Sequence, residues 1–282
     1  MHKHSEEKLF KVLMLASLAI VIGSLFIVIA IVIWNGAPAL TFSMVTQTPK
    51  GGYYLGKEGG ILNAIVGSLY LAFGSMLLAL VISLPAALSL QKDYIGKTKA
   101  AYYIRLSLDV LWGTPSIVYG AFGFIVMLYL GMRASLLGGI IVLTLLQLPI
   151  MIRAMEEVIK MVPVELKEAS YSLGATKLET TFGVVVKQAL PGIVTAALLA
   201  FGRGIGDAAS VLFTAGYTDS LPRSLFDPVA SLPLAVFFQL GTPFPEVQAR
   251  AYASALILLI IVLALSLTSR YLSKRFLKNV IR

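Results

Sequence analysis

The chain contains no cysteine. That excludes disulfides, thiolate metal sites and a thiol nucleophile, without fixing a redox compartment. Histidine is nearly as scarce. The two present, His2 and His4, stand at the N-terminus, where two ligands on a chain end do not hold a metal. With no other histidine, no Ser/His/Asp set can be assembled, and no paired catalytic carboxylates stand out. A Gly-x4-Gly-Lys-Ser/Thr phosphate loop is also lacking, so the chain does not hydrolyse ATP by itself. These absences point away from an enzyme and from a bound cofactor. Charge is sparse as well: 13% of residues are Asp, Glu, Lys or Arg, about half the share in a soluble domain.

What fills the chain instead is apolar, 58% of it, in runs long enough to cross a bilayer, which takes roughly 17–25 residues each. Six such runs lie at about 9–34, 61–90, 103–130, 135–152, 187–215 and 251–271. Short alternating segments of the kind that build a membrane barrel are not seen. The chain therefore reads as an all-α, polytopic membrane protein with six transmembrane helices. The first run is too long for a signal-peptide core and no small-residue cleavage site closes it, so it reads as a retained helix. The third is interrupted by Gly113, Thr114, Pro115 and Ser116.

An even number of spans puts both termini on one side. That side, counting both tails, the loop after the second span and the segment after the fourth, carries seventeen Lys and Arg. The other carries five, Lys50, Lys57, Arg133, Arg223 and Arg250, and Arg203 alone falls inside a span. Positive loops stay in the cytosol, so both termini and the segment after the fourth span are expected to be cytosolic, in a multi-pass protein of the cell membrane. The net charge of +9 is mostly this topological bias. Arg270, Lys274, Arg275, Lys278 and Arg282 add an attraction to anionic membrane lipid, and nucleic-acid binding is the poorer reading of the charge.

Two outward loops stand out. Residues 35–60 carry Pro38, Pro49, Gly51, Gly52, Gly59 and Gly60 and read as an irregular cap. Residues 216–250 hold five prolines around an apolar stretch at 232–240, too short to span, which is expected to dip into the membrane or pack on the outer mouth. No tandem repeat or soluble domain is visible. The expected organisation is an N-terminal helix and external loop over 1–60, a core over 61–272 with cytosolic helices at about 155–187, and a basic cytosolic tail over 273–282.

Residues 153–191 form a charged, Gly-punctuated island within this oily sequence. Pro163 suits a first helical turn, where its missing N–H would be unpaired anyway. A short helix over 164–173 follows, with Leu166, Ala169 and Leu173 spaced for one face and Glu165, Lys167 and Glu168 elsewhere. Gly174 is placed to end it with a left-handed residue. Thr176, Lys177, Leu178 and Glu179 read as a capping box that restarts a helix. Pro191 and Gly192 mark an expected bend into the fifth span.

Glu168-Ala169-Ser170, three residues and Gly174 resemble the Glu-Ala-Ala coupling loop of binding-protein-dependent ABC importer permeases. Ser170 stands for the second Ala of that pattern, Val184 for its Ile, and Val186-Lys187 for its Leu-Pro, the nearest Leu-Pro being Leu190-Pro191. Position between the fourth and fifth of six spans, on the positive side, strengthens the resemblance. It implies a type I ABC importer permease fold in which Glu168, Ala169, Leu173 and Gly174 dock on a cytosolic ATPase dimer. An ordinary cytosolic helical hairpin is the alternative.

Two further stretches narrow the family. Gly113-Thr114-Pro115-Ser116-Ile117-Val118-Tyr119-Gly120 is similar to a signature of phosphate importer permeases. Arg203 through Ala215 is similar to the A-type subunit's Arg-Ala-Ile-Gly-Glu-Thr-Ala-Pro-Leu-Leu-Phe-Thr-Ala, with Asp207 for Glu, Ala208 for Thr and Ser210 for Pro. The resemblance implies a permease subunit that passes inorganic phosphate. Its implied partners are a homologous C-type permease subunit, the ATPase dimer and an extracytoplasmic phosphate-binding protein.

The residues support a site there independently. Arg203 and Asp207 stand four apart in a span made mostly of Ala, Leu, Ile and Gly. A charge at mid-bilayer costs at least ~2.5–3.5 kcal/mol and is usually functional or paired. Gly202, Gly204 and Gly206 leave the helix thin for close approach, and the forked donors of Arg match an oxyanion. Arg203 is expected to meet phosphate in passage while Asp207 holds it between passages. A purely structural pair is the alternative. Pro115 frees a carbonyl that Thr114 or Ser116 can satisfy, so the break at 114–116 reads equally as pathway lining or a packing kink. Asp109, four residues after Arg105, reads as its local partner. Competing functions are a permease for molybdate, tungstate or sulfate, an ion-gradient transporter, and a non-transporting membrane scaffold.

Overall fold

Local chemistry sets most of the helix ends in the computed structural model, which describes residues 2–50 and 59–277, without the side chains of 2–5 and 272–277. Gly51, Gly52, Lys57, Lys278 and Arg282, and the side chains of His2, His4, Lys274 and Arg275, lie outside what is described. Helix α1 runs over His2–Gly36 and α2 over Phe42–Thr46, opened by the Thr41 hydroxyl on the Met44 amide. Helix α3 is Leu62–Ser89. Helices α4, Lys99–Gly113, and α5, Ser116–Tyr129, follow, then α6, Leu136–Lys160, capped by Ser135. The island holds α7, Val164–Ser172, and α8, Lys177–Thr180. A π-helical turn over Thr181–Val185 joins α8 to α9, Val186–Gly206. Last come α10, Leu232–Leu240, capped by Ser231, and α11, Pro245–Leu277.

Five helical stretches are long and apolar enough to cross a membrane: Glu6–Gly36, Leu62–Ser89, Leu136–Lys160, Lys177–Gly206 and Pro245–Tyr271. The sixth candidate is broken. Rather than one interrupted helix over 103–130, α4 and α5 meet at 101°. Pro115 is the cause: a residue before proline is driven out of the helical region, and Thr114 sits at ψ 130° with Pro115 itself at ψ 140°. Two successive extended residues turn the chain through a right angle.

The other spans also depart from their expected bounds. Helix α6 continues a further two turns past residue 152, and α9 ends at Gly206 rather than near 215. The irregularity expected at Pro191–Gly192 lies earlier, in the π turn. The stretch at 232–240 is a buried helix, α10, packed on α11 and α3.

In lipid the tails are as apolar as a leucine, so helices gain little from hydrophobic burial and pack through small residues. That rule describes the core. Helix α3 presents Ala72, Ser75, Ala79 and Ser83, α6 presents Gly138 and Gly139, and α9 presents Ala189, Ala196, Ala200 and Gly204, all buried. A methyl added at Gly139 would stand 2.6 Å from Leu71 Cδ2. Helices α3, α6 and α9 form the centre, α4 and α5 flank α6, and α1 lies along α11.

Candidate functional site

Arg203 falls in the last turn of α9, where a cation complements the free carbonyls of a helix C-terminus, and it is exposed in this subunit. The glycines around it divide by face. A Cβ on Gly204 would meet Gln147 Nε2 at 2.2 Å, whereas Gly202 and Gly206 have nothing within 4 Å. So α9 is clamped inward at Gly204 and open on the side carrying Arg203. The clamp is polar: Gln147 is fully buried, its Nε2 donates to Ser75 Oγ at 3.0 Å, and its Oε1 has no partner.

The structure does not pair Arg203 with Asp207. Asp207 is the residue that ends α9, at φ −82° and ψ 124°. Its Oδ1 accepts from the Ser210 amide at 2.8 Å and from Ser210 Oγ at 2.7 Å. One turn apart on a continuous helix, the two side chains would share a face, but the helix stops between them and the backbone redirects Asp207. Ser210 supplies the amide hydrogen that a proline there would lack, so the Asp207 and Ser210 departures from the family pattern belong to one turn. Among the described residues no carboxylate lies within ion-pair distance of Arg203.

The break at 114–116 is brought to the same place. Thr114 Oγ1 donates to Val110 O at 3.1 Å, spanning the end of α4, and Tyr119 Oη reaches back across the corner to Leu111 O at 2.9 Å. One residue on, a Cβ at Gly120 would meet Ala209 O and Ser210 O, both at 2.8 Å. Tyr119 is also within electrostatic reach of Arg203. Pro115 is exposed and Ser116 half-buried, one helical turn before Gly120. Behind the corner lies an apolar cavity of about 350 Å³ lined by Thr114, Tyr119, Leu145 and Pro149 among others.

The charged island lies at the other end of α9, whose 21 residues span roughly 30 Å at 1.5 Å per residue. Gly174 has φ +82°, a left-handed conformation that a side chain disfavours. Thr176 and Glu179 form the capping box, each bonding the other's backbone. Helix α7 starts at Val164 with Pro163 as its flanking residue. Its inward face differs from expectation. Leu166, Lys167 and Ser170 turn inward, while Glu168, Ala169 and Leu173 are exposed, Leu173 at 89%. Ser170 shares a hydrogen bond with Thr180 at 2.9 Å, so the residue that departs from the Glu-Ala-Ala pattern ties the two short helices together. Burial, and then the charge of Asp93, push the Tyr171 phenol above its usual range.

One cluster escaped sequence reasoning. Glu156 is completely buried and meets Arg105 Nε at 2.7 Å, Arg153 Nη1 at 3.0 Å and Lys160 Nζ at 3.1 Å. Asp109 pairs with Arg153 at 3.0 Å and not with Arg105, because Arg105 is drawn to the buried carboxylate on α6. The spacing of Arg153, Glu156 and Lys160, three and four residues apart on one helix face, was the available signal.

The family model of "Binding-protein-dependent transport system inner membrane component" matches residues 94–278. The chain is 31% identical over 278 residues to the probable ABC transporter permease protein YqgI of Bacillus subtilis, covering 93% of each chain. It is 33% identical to the phosphate transport system permease protein PstA of Yersinia pestis over 84% of this chain and 78% of that one. Among solved structures, a chain of the MetNI methionine ABC transporter in an inward-facing conformation superposes with a TM-score of 0.64 at 20% identity, over 77% of this chain and 95% of that chain. With the model matching well over half of its length, the chain belongs to the binding-protein-dependent transport system inner membrane component family.

Proposed function

We propose that this chain is the membrane-spanning permease subunit of an ATP-driven importer of inorganic phosphate, with Arg203 as the residue that meets the anion. The observation that carries the reading is Arg203 itself: a guanidinium without a carboxylate partner among the described residues, on the open face of a glycine-thinned helix. A permanent cation left unneutralised inside a bundle is costly unless something anionic visits it, and a forked donor suits a tetrahedral oxyanion. Relatives named as phosphate transport permeases, at 31–35% identity, support the cargo.

The permease core over 61–272 would form half of a pathway, completed by a homologous C-type subunit on the open face of α9. Thr114, Pro115 and Ser116 would line it beside Arg203. With its carboxylate occupied by Ser210, Asp207 shapes the end of α9 in this conformation and would reach Arg203 only after that turn opens. Glu168, Ala169, Leu173 and Gly174 would seat on a cytosolic ATPase dimer, consistent with their exposure, and a phosphate-binding protein would deliver substrate from outside. Both termini would be cytosolic, in line with the positive-inside bias.

The test is uptake of labelled phosphate into vesicles holding the purified complex, with and without ATP, and with molybdate, tungstate or sulfate as competitors. ATP-dependent uptake that these competitors do not suppress is expected. Arg203→Gln should abolish uptake while the complex still assembles; uptake at the normal rate in that variant would sink the assignment of Arg203. Uptake of molybdate or sulfate in preference to phosphate would move the cargo and keep the class.

A further inference from the structure

The coupling island touches the bundle through more than the chain that joins them. Between α3 and α4 runs a short cytosolic loop, residues 90–98, and the island grips it at three points. Lys167 Nζ pairs with Asp93 Oδ2 at 2.8 Å, Lys177 Nζ donates to Asp93 O at 3.4 Å, and Tyr94 Oη bonds Thr181 Oγ1 at 2.9 Å. These contacts come from α7, from α8 and from the π turn in sequence.

The same loop is held from its other side by one residue of α4. Arg105 Nη2 donates to Leu90 O at 2.7 Å and Nη1 to Gly96 O at 3.2 Å, at the two ends of the loop. Its Nε is committed to Glu156 of α6. Gln91 Nε2, next in the chain to Leu90, donates to Glu156 O at 3.4 Å. Arg105 therefore joins a nine-residue loop to a fully buried carboxylate, with each of its three nitrogens donating to a fixed acceptor.

From Arg105 the path runs along α4, about 22 Å long at 1.5 Å per residue. Its far end is tied to α5 by Tyr119 on Leu111 O, and α5 rests through Gly120 on Ala209 and Ser210, the turn that Asp207 holds. A movement of α7 has a continuous series of short contacts to the end of α9, separate from the covalent routes through α6 and α9.

We propose that residues 90–98 act as a strap that carries movement of the coupling helices into α4, and so into the α4–α5 corner beside Arg203. Asp93 and Arg105 are positioning residues in this scheme; neither touches substrate. The inference rests on the reading of the chain as an ATP-coupled permease and adds the route by which the coupling reaches the pathway. A contiguous set of contacts is not by itself coupling, so the test measures transmission.

The chain's lack of native cysteine makes spin-labelling direct. Labels at Leu178→Cys on α8 of the island and Ile117→Cys at the corner, both exposed positions, report their separation in the complete reconstituted transporter. ATP binding should change that distance in the otherwise native chain. Asp93→Asn should remove most of the change, and lower phosphate moved per ATP hydrolysed by roughly three- to tenfold, with the ATPase still co-purifying. The exchange Asp93→Lys with Lys167→Asp should restore both. An equal distance change in Asp93→Asn, or none in the native chain, would overturn the strap. Labelled-phosphate uptake in the same vesicles decides the importer reading separately: a corner that moves without phosphate uptake keeps the strap and defeats the cargo.

Discussion

The two ends of α9 are built on opposite principles. Its N-terminal end is held by charge and capping: the buried Glu156 with three cations, Lys167 on Asp93, and the Thr176–Glu179 box. Its C-terminal end is held by the absence of side chains, with Gly204 against Gln147 and Gly120 against the carbonyls of Ala209 and Ser210. At the first end, ion pairs and hydrogen-bonded turns are contacts that can be broken and remade. At the second, close contact of small residues gives firmness without burying further charge. Arg203, a cation without a carboxylate partner among the described residues, stands out against these apolar surroundings.

The largest break of this comparison is expected at Glu156. Glu156→Ala leaves Arg105, Arg153 and Lys160 converging on an empty, buried position, and removing one partner from a buried ionic group costs about 3–5 kcal/mol. Thermal unfolding in detergent should show a large loss, and a variant as stable as the native chain would mean that the cluster is merely decorative. Next comes the C-terminal end of α9. Gly120→Ala places a methyl 2.8 Å from two backbone oxygens, which cannot rotate away, and overpacking of this kind costs about 1–3 kcal/mol. Gly113→Ala, with nothing within 4 Å, is the matched control and should be near neutral. Equal effects of the two in the same unfolding assay would remove close packing as the explanation.

The smallest effect sharpens the contrast, because the loop after α9 has an electrostatic turn of its own. Amides of Arg223 and Ser224 donate to Asp227 Oδ2 at 2.8 and 2.9 Å and hold its carboxyl below the usual range. A depressed carboxylate contributes stability that is present above its unfolded pKa, about 3.9, and lost as pH falls through the folded value. Hydrogen exchange at the Arg223 and Ser224 amides should therefore be protected at neutral pH and lose that protection in acid below about pH 4. Protection independent of pH, after correction for intrinsic exchange, would contradict the turn.

Much of the frame was legible in the residues. The bounds of α10 match the apolar stretch between prolines, Gly174 adopts its left-handed turn, and the capping box forms as its four residues suggested. Each is a local matter, decided within one or two turns of chain. What was not legible involves partners far apart in sequence. Arg105 pairs with Glu156 across 51 positions and Lys167 with Asp93 across 74, so the local Arg105–Asp109 pairing lost to a buried carboxylate on another helix. The inward face of α7 could not be read from spacing either, since Ser170 finds Thr180 and Leu173 leaves the helix before it can bury.

The sequence alone therefore determined a helical membrane protein and the approximate places of its apolar helices, and it set the expectations of sidedness and of a coupling role for the charged island. Hydropathy, proline and capping act over short stretches of chain and carry that information without a fold. Only the tertiary structure decided that the break at Pro115 turns a full right angle onto the turn after α9, that Asp207 binds Ser210 instead of Arg203, and that the island grips the loop at 90–98. Those outcomes depend on which of several possible partners is brought within bonding distance. Packing settles that choice, and residue order does not.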